Sequence, residues 1–274
     1  MKIKRVIGLI VVAVMGLSFL SVKANAQGQP SSWDARITFL QGSVNFYPAS
    51  SPKQGYVAVA GLPLKSGDRI VTNAGGQAQI AFNGSGVLTL TPNSSFTVKA
   101  LSQSKTSLFL GLGNIIAKFD HLLSGENLQV QTPMAVAAIR GTEFGVSFSK
   151  SSGAKVGVFD EGKVEVTNHS GHEFLKPHQE LAVKSKNGKL PHVRSLHYFL
   201  RYNKQMSGLR KSLAAVRLTW KQEHKNVFRQ QGSNRNQVRK NLMQKMKKLA
   251  RTGRRRLQRF QNGNPGHPKM RHQQ

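Results

Sequence analysis

Thr132-Pro133-Met134-Ala135-Val136-Ala137-Ala138-Ile139-Arg140-Gly141-Thr142-Glu143-Phe144 is the stretch that decides the fold. Apolar and polar residues alternate on both sides of it, at 128–131 and at 145–148. A period of two is typical of half-buried β-strands. Gly141 can adopt a positive φ without steric cost, which predicts a sharp turn or bulge between two strands. Pro133 cannot donate to a sheet ladder, so it fits a strand start or an edge.

The charged residues of this stretch are Arg140 and Glu143, which flank Gly141. A local ion pair that pins the turn, with Thr142 hydrogen-bonded to the backbone nearby, is the interpretation we favour, and recognition of a partner is the alternative. Catalysis would need a Ser–His or paired-carboxylate constellation nearby, which the sequence does not provide. We therefore predict no catalytic residue and a motif that is structural or partner-binding, formed by Thr132, Pro133, Ala138, Ile139, Arg140, Gly141, Thr142, Glu143 and Phe144.

Short alternating segments recur throughout the N-terminal two thirds of the chain, separated by Gly, Asn, Ser and Pro. Such punctuation is the chemistry of turns between strands, and no helical period of useful length interrupts it. The pattern predicts a mainly β domain. A weak repeat relates 69–82 to 128–139 and favours a solenoid-like fold, with a sandwich as the alternative.

The stretch 132–144 resembles the signature of the FecR family almost letter for letter. Upstream, Gly61-Leu62-Pro63-Leu64-Lys65-Ser66-Gly67-Asp68-Arg69-Ile70-Val71-Thr72 is similar to the glycine-aspartate segment of that family. The resemblance covers about residues 36–184. It implies a periplasmic, twisted β-solenoid-like domain that recognises a protein partner and needs no cofactor. The family is named for a regulator that passes an iron-uptake signal to an inner-membrane partner.

The N-terminal residues 1–26 predict a secretory signal peptide, with a charged start, an apolar run over 6–20 and a small-x-small cleavage site before Gln27. Export to the periplasm or cell envelope follows. Iron-signalling members of the family carry a cytoplasmic anti-sigma segment and a membrane helix ahead of the periplasmic part. The apolar segment of this chain begins at residue 6, so we do not expect that arrangement here.

Charge divides the chain into two unequal parts. Residues 27–183 hold 12 basic and 10 acidic residues, whereas residues 184–274 hold 25 basic residues and the single acid Glu223. The boundary near Lys184 predicts a FecR-like β domain at 27–184, a basic amphipathic helical region at 185–261 and a disordered tail at 262–274.

The period of the sequence changes beyond Lys184. Apolar residues are spaced 3 and 4 apart over 199–227, which is the seam of an amphipathic helix: Phe199, Tyr202, Met206, Leu209, Leu213, Val216, Trp220 and Val227. A second seam follows at Val238, Leu242, Met246, Leu249, Leu257 and Phe260. Two antiparallel basic helices packed seam against seam explain both patterns. Because the β domain would then be complete without them, removal of 191–274 is expected to leave it folded.

Four roles are open to the cationic region. It binds an anionic envelope polymer or lipid head groups, it docks an acidic protein partner or associates with itself through the 199–227 seam, it binds nucleic acid, or it only keeps the protein soluble. Export argues against nucleic acid, since the envelope contains little of it. Contact with an anionic envelope surface or an envelope protein is the role we favour.

Other motifs predict neither metal nor cofactor binding. His169, His172 and His178 fall within ten residues but fit a surface loop better than a metal site. The glycines of 110–114 lack a following helix to hold a phosphate. The sequence as a whole predicts an exported, non-enzymatic FecR-domain binding or scaffold protein. The alternative is a FecR-like signalling regulator coupled to an outer-membrane receptor and a sigma-factor pathway.

Overall fold

The structure is a computed structural model that describes residues 35–82, 85–102, 105–120, 127–227 and 234–262. Within its two long helices, side chains are described at 203–220 and 236–252. The predicted signal peptide, and the predicted tail beyond residue 262, lie outside the described residues.

In the described residues, sixteen β-strands precede two helices, and most of these strands lie where the alternating patterns predict them. The strands are β1 (Ala35–Gln41), β2 (Val44–Tyr47), β3 (Tyr56–Val57), β4 (Arg69–Thr72), β5 (Gln77–Phe82), β6 (Gly86–Leu90), β7 (Ser94–Leu101), β8 (Lys105–Phe119), β9 (Asn127–Gln131), β10 (Val136–Ile139), β11 (Glu143–Ser149), β12 (Gly153–Val158), β13 (Val164–Asn168), β14 (Gly171–Leu175), β15 (Gln179–Val183) and β16 (Arg194–Ser195). A 3-10 helix at Tyr198–Tyr202 leads into α1 (Asn203–Val227), and α2 (Asn234–Asn262) follows. The predicted mainly β class with C-terminal helices is confirmed.

The strands form two layers. Sheet I has the order β1-β5-β6-β8-β11-β12-β15-β16, and sheet II has the order β3-β2-β4-β7-β8-β9-β10-β13-β14. Neighbours are antiparallel except β8 and β9, which run parallel. The long strand β8 belongs to both sheets and passes from sheet II to sheet I at Gly113. From β9 onward, successive hairpins alternate between the two sheets.

One apolar core fills the space between the layers. Ile80 and Val146 of sheet I and Phe96 and Val130 of sheet II belong to the same buried cluster. Strands of sheet II alternate between buried and half-exposed residues, as β7 and β10 do. The central strands of sheet I differ, because β6 is buried at all five positions and β11 at six of seven. A strand buried on both faces needs a second layer on its outer side.

Helix α1 provides that second layer. Its seam residues Met206, Leu209 and Leu213 pack on Val87 and Ile116, which point outward from sheet I. Trp220 continues the buried seam at the end of the described side chains. The seam predicted from spacing is confirmed from Phe199 to Trp220, but its partner is a sheet of the same chain. Val227, the last predicted seam residue, lies outside the described side chains. The predicted packing of the two helices on each other is wrong: the apolar residues of α1 cover sheet I, and those of α2 lie elsewhere on the β domain.

A pair of glycines makes room for the first aromatic residue of the seam. Gly145 of β11 and Gly157 of β12 are directly paired across the ladder, and Phe199 lies over them with no exposed surface. A Cβ atom on Gly145 would lie 2.3 Å from the Phe199 ring, and one on Gly157 would lie 2.5 Å from it. The two glycines therefore create a shallow socket in a sheet that otherwise presents side chains, and Phe199 fixes the start of the helical layer in it.

Helix α2 packs beside the β3 end of the sandwich. Met246 joins the main core, with Leu242, Met243 and Ala250 packed against it. Lys65 Nζ donates to Asn236 Oδ1 at 3.2 Å from the loop that precedes β4. Both helices thus complete apolar surfaces of the β domain. Removal of residues 191–274 would expose the outer face of sheet I, so the expectation that the β domain folds without them stays a prediction.

Strand β14 was not predicted from the sequence. His172 lies in this edge strand and His169 in the turn before it, where a single loop was expected. The strand escapes the pattern analysis because its residues are mostly exposed or half-exposed, with Leu175 alone buried. Its hydrogen bonds to β13 hold it in place instead.

Substitution of Gly145 by alanine tests the socket. The added methyl group overlaps the Phe199 ring, so we expect a loss of about 1–3 kcal/mol in the free energy of unfolding, measured by urea denaturation. Gly208→Ala is the matched control: it adds the same methyl group within α1, where nothing lies within 4 Å. There we expect a gain of about 0.5–1 kcal/mol from helix propensity. Equal stability of Gly145→Ala and the parent protein would show that Phe199 does not occupy the socket.

Candidate functional site

The corner between β10 and β11 carries the charged centre of the motif. Gly141 has a φ of 62°, as its position between the two strands predicts, and this turn takes the chain from sheet II to sheet I. Glu143 follows as the first residue of β11 and lies opposite Lys118 of β8. Its side chain is only 2% exposed. A buried carboxylate must be matched by cations or hydrogen-bond donors, since its desolvation is costly.

Two cations meet that requirement. Lys118 Nζ lies 3.0 Å from Glu143 Oε1. Arg210 of α1 donates from Nε to Oε1 at 2.7 Å and from Nη2 to Oε2 at 2.5 Å. This two-pronged geometry is the strongest form of an arginine–carboxylate pair. The motif residue Glu143 therefore receives a side chain from a helix 67 residues further along the chain.

The network extends to the next turn. Lys118 also contacts Glu161, Arg210 also contacts Asp160, and the Thr142 hydroxyl donates to the backbone carbonyl of Glu161. Burial raises the pKa of the Glu143 carboxyl, but hydrogen bonds from Arg210 and Lys118 outweigh it and hold that pKa below its ordinary value. The pKa of Arg210 is raised, chiefly by its hydrogen bond to Glu143. Both groups are charged at neutral pH.

Arg140 takes no part in this network, so the predicted ion pair between Arg140 and Glu143 is wrong. Arg140 is exposed, whereas Glu143 is buried and paired with Lys118 and Arg210. Gly141, with its positive φ, lies in the turn between them. The predicted hydrogen bond from Thr142 to nearby backbone is confirmed.

The other motif residues lie in the frame of the sandwich. The Thr132 hydroxyl accepts from Ala135 N at 3.0 Å and closes the hairpin that contains the exposed Pro133. Ile139 and Phe144 are in the core, and the ring centroid of Phe144 lies 6.2 Å from that of Phe119. Ala138 lies half-exposed in β10. Whether any of these residues touches a partner stays a prediction.

A second buried acid was missed as a site by the sequence analysis. Asp68 has no exposed surface and accepts the backbone N–H of Lys65 at 2.7 Å and of Ala49 at 3.0 Å. Arg239 of α2 supplies the cation, with Nη2 at 2.9 Å from Oδ1 and 2.8 Å from Oδ2. The same guanidinium donates to the carbonyl of Pro63. The signal was an acid directly after Gly67 in the turn before β4, but nothing nearby in sequence identifies Arg239 as its cation.

A third pair joins α1 to the end of β8. Arg217 contacts Asp120, and Arg210 lies one heptad before Arg217 on the same side of the helix. Arginine therefore provides the described ion pairs from the helices to the β domain. Lysines of the helices behave differently: those with described side chains are exposed at 204, 211, 240, 245, 247 and 248.

A groove of about 410 Å³ near the crossing point of β8 is a further candidate, lined by Asn114, Ser147, Lys155 and Tyr198 among others. Its polar groups bond to each other, since the Tyr198 hydroxyl lies 3.0 Å from Asn114 Oδ1 and 3.2 Å from Ser147 Oγ. Within the described ranges, no three His, Asp or Glu side chains come together as metal ligands. No helix in the part of the chain that the structure describes is long and apolar enough to cross a membrane.

Arg210→Gln and Arg140→Gln make the same substitution near the same motif, but they are expected to change the free energy of unfolding by different amounts. Loss of Arg210 leaves Glu143 buried with one cation, so we expect a loss of about 1–2 kcal/mol in the free energy of unfolding. Loss of the exposed Arg140 is expected to change it by less than about 0.5 kcal/mol. Urea denaturation of both variants measures the difference. A larger effect at Arg140 would contradict the assignment of Arg210 as the partner of Glu143.

Acid should weaken the same network. Because the pKa of Glu143 is lower in the folded protein than its ordinary value of 4.5, its contribution to stability is complete above that value. The contribution is lost as the pH falls from 4.5 through the folded pKa, where the carboxyl becomes protonated. The stability difference between the parent and Glu143→Gln is therefore expected to shrink over this range, measured by denaturant midpoints at several pH values. A difference that stays constant would exclude Glu143 as the titrating group.

The chain is similar to two solved structures and to one protein family. Two crystal structures of a candidate anti-sigma factor from Parabacteroides distasonis, at 1.65 and 2.50 Å resolution, are similar to 48% of this chain, with 20% and 19% identity and a TM-score of 0.42 for each. The match spans 61% of that protein's chain. No curated protein matches the chain. The family model described as FecR protein matches residues 68–165, a range that begins at the buried Asp68 and contains the whole Glu143 motif. Residues 68–165 of the β domain are therefore similar to a FecR domain.

Proposed function

We propose that this chain is an exported, non-enzymatic FecR-domain scaffold of the bacterial envelope, whose C-terminal helices present a cationic surface to an anionic envelope component. The observation that carries the proposal is the division of the basic residues. The guanidinium groups of Arg210, Arg217 and Arg239 point inward to acids of the β domain, although the first two side chains stay 41% and 48% exposed, while the described lysines of α1 and α2 face solvent.

Arginine and lysine suit two different tasks in this arrangement. The planar guanidinium of arginine matches a carboxylate with two parallel hydrogen bonds, which fixes a helix in one position. The ammonium of lysine is a hydrated point charge that binds many anions without a fixed geometry. The inward arginines therefore hold the helices in place, and the outward lysines attract a surface that carries diffuse negative charge.

The composition of the C-terminal region supports the same role. Residues 224–274 contain 15 basic residues and no acid. A solubilising surface usually mixes both signs of charge, whereas a long run of one sign attracts oppositely charged partners. The predicted signal peptide at 1–26 supports export, which would bring that surface to the periplasm or cell envelope.

The organisation of the chain fits a scaffold. We propose the boundaries 27–184 for the β domain and 185–261 for the helical region, which is bound to the domain as an outer layer. The alternation of hairpins between sheets from β9 onward supports a solenoid-like winding of the two layers. Proteins with this frame display surfaces on rigid strands, and a partner recognises the surface.

Charge variants that leave the fold intact test the proposal in cells. Substitution of the exposed Lys240, Lys245, Lys247 and Lys248 by Gln removes four outward charges and keeps Arg239 in place. We expect this variant to leave the envelope fraction, since each lysine near an anionic surface contributes about 1 kcal/mol. The parent protein should leave it only in washes of high salt, which screen the same attraction.

A matched control separates the effect of the position of the lysines from the effect of the net charge. Lys53, Lys105, Lys150 and Lys176 are exposed on the β domain, and their replacement by Gln gives the same change in net charge. That control should remain on the envelope like the parent. Mass analysis of the N-terminus completes the test. A chain that begins at Gln27 agrees with the proposal, whereas one that retains Met1 and resists salt is membrane-anchored and favours the signalling regulator.

A further inference from the structure

Helix α2 exposes an apolar stripe beside the face that contacts the β domain. Val238 is 38% exposed and Leu249 is 54% exposed, while Leu242 is half-buried and Lys245 is exposed between them. These four positions lie within about 60° of one another around the helix, because a residue turns by about 100°. The stripe therefore runs along three turns, with Lys245 within it and Leu242 packed against the main core at its inner edge.

The stripe is fixed in its orientation by the contacts on the neighbouring face. Arg239 is held by Asp68, and Met246 is buried in the main core. Both residues lie about 90° around the helix from the stripe, so α2 cannot turn the stripe inward without breaking those contacts. Val238 and Leu249 consequently stay at the surface while the helix is bound to the β domain.

Single exposed apolar residues are common on protein surfaces and need no partner. Exposed Lys245 and Lys248 lie on the same side of the helix, within about 90° of the stripe, whereas Lys240 and Lys247 lie about 170° away from it. Residues 224–274 contain no acid. Exposed apolar residues beside lysines, without acids, are typical of helices that lie in the interface of anionic membranes. A soluble polyanion would use the lysines but offers no apolar medium for Leu249.

We infer that α2 is an interfacial helix that binds the surface of a bilayer containing anionic phospholipids. Val238 and Leu249 enter the boundary between head groups and acyl chains, and Lys245 and Lys248 contact the lipid phosphates. The inference rests on the proposed cationic surface and names its partner. The FecR domain then lies against the membrane, held there by the arginine contacts of the helix.

Vesicle binding tests the inference directly. The full chain and its Val238→Ser/Leu249→Ser variant are compared on vesicles of phosphatidylglycerol and phosphatidylcholine, and on soluble polyphosphate. We expect the variant to bind the vesicles about tenfold more weakly, because two apolar side chains no longer enter the bilayer, and to bind polyphosphate as the parent does. Leu112→Ser is the matched control, since Leu112 is 42% exposed in β8 and should not matter.

A second measurement detects insertion of α2 into the bilayer while Val238 stays in place. The chain has no cysteine, so Leu249→Cys accepts a polarity-sensitive fluorophore at one position. We expect a blue shift on anionic vesicles and none with polyphosphate. Gln244→Cys, exposed on the far side of α2, should show a much smaller shift. Circular dichroism checks that each variant is folded.

The outcomes distinguish the inference from the proposed function. Equal vesicle binding of the parent and the double serine variant, with no shift at Leu249→Cys, overturns the membrane inference. If replacement of the four lysines by Gln still abolishes binding to polyphosphate, the cationic surface itself stands and its partner is a soluble polyanion. A parent protein that binds neither vesicles nor polyphosphate overturns both.

Discussion

Glu143 remains charged inside the protein because Arg210 and Lys118 reach it from two other elements. With 2% of its side chain exposed, the carboxylate has no access to enough water to be stable alone. Lys118 belongs to the same sheet and is present as soon as the sheet forms. Arg210 arrives with α1, so the motif of the domain and the helix that follows it form one structural unit. The same relation joins Asp68 to Arg239 of α2.

Buried ion pairs of this kind fix the position of a helix on a sheet more than they add to the free energy of unfolding. The cost of removing both charges from water offsets much of their attraction, and an apolar pair of the same volume often stabilises as well. An apolar contact, however, tolerates sliding of a helix on a sheet, whereas a two-pronged pair does not. Phe199 in its glycine socket, Arg210 and Arg217 together fix α1 along its length. The apolar seam buries surface between α1 and sheet I, and the arginines fix the position of α1 along the sheet.

The sequence predicts what depends on neighbouring residues. Alternation identified the β class, Gly141 identified the corner between strands, and the spacing of Met206, Leu209 and Leu213 identified the buried side of α1. Each of these signals is local because a strand or helix imposes its period on adjacent residues. Strand β14 was missed for the same reason, since its exposed residues carry no period.

What the sequence could not provide was the partner of each surface. An acid and a base three residues apart suggested a pair, yet the cation of Glu143 lies 67 residues away. The seam of α1 suggested a second helix, yet it packs on sheet I. One signal was available: β11 reads Glu-Phe-Gly-Val-Ser-Phe-Ser and is almost fully buried, which requires cover on both faces. A strand with apolar residues on one side and Gly145 on the other indicates a close approach by something outside the sheet.

The placement of charge gives these contacts a consequence beyond stability. The β domain carries 12 basic and 10 acidic residues over 27–183, so it has no strong field of its own. Its buried acids hold the helices through arginine, and each arginine that pairs inward is neutralised. The acids of the β domain therefore do not neutralise the exposed lysines of α1 and α2. A nearly neutral β domain thus carries exposed lysines at fixed positions, and its buried acids Glu143 and Asp68 determine where the helices that bear them lie.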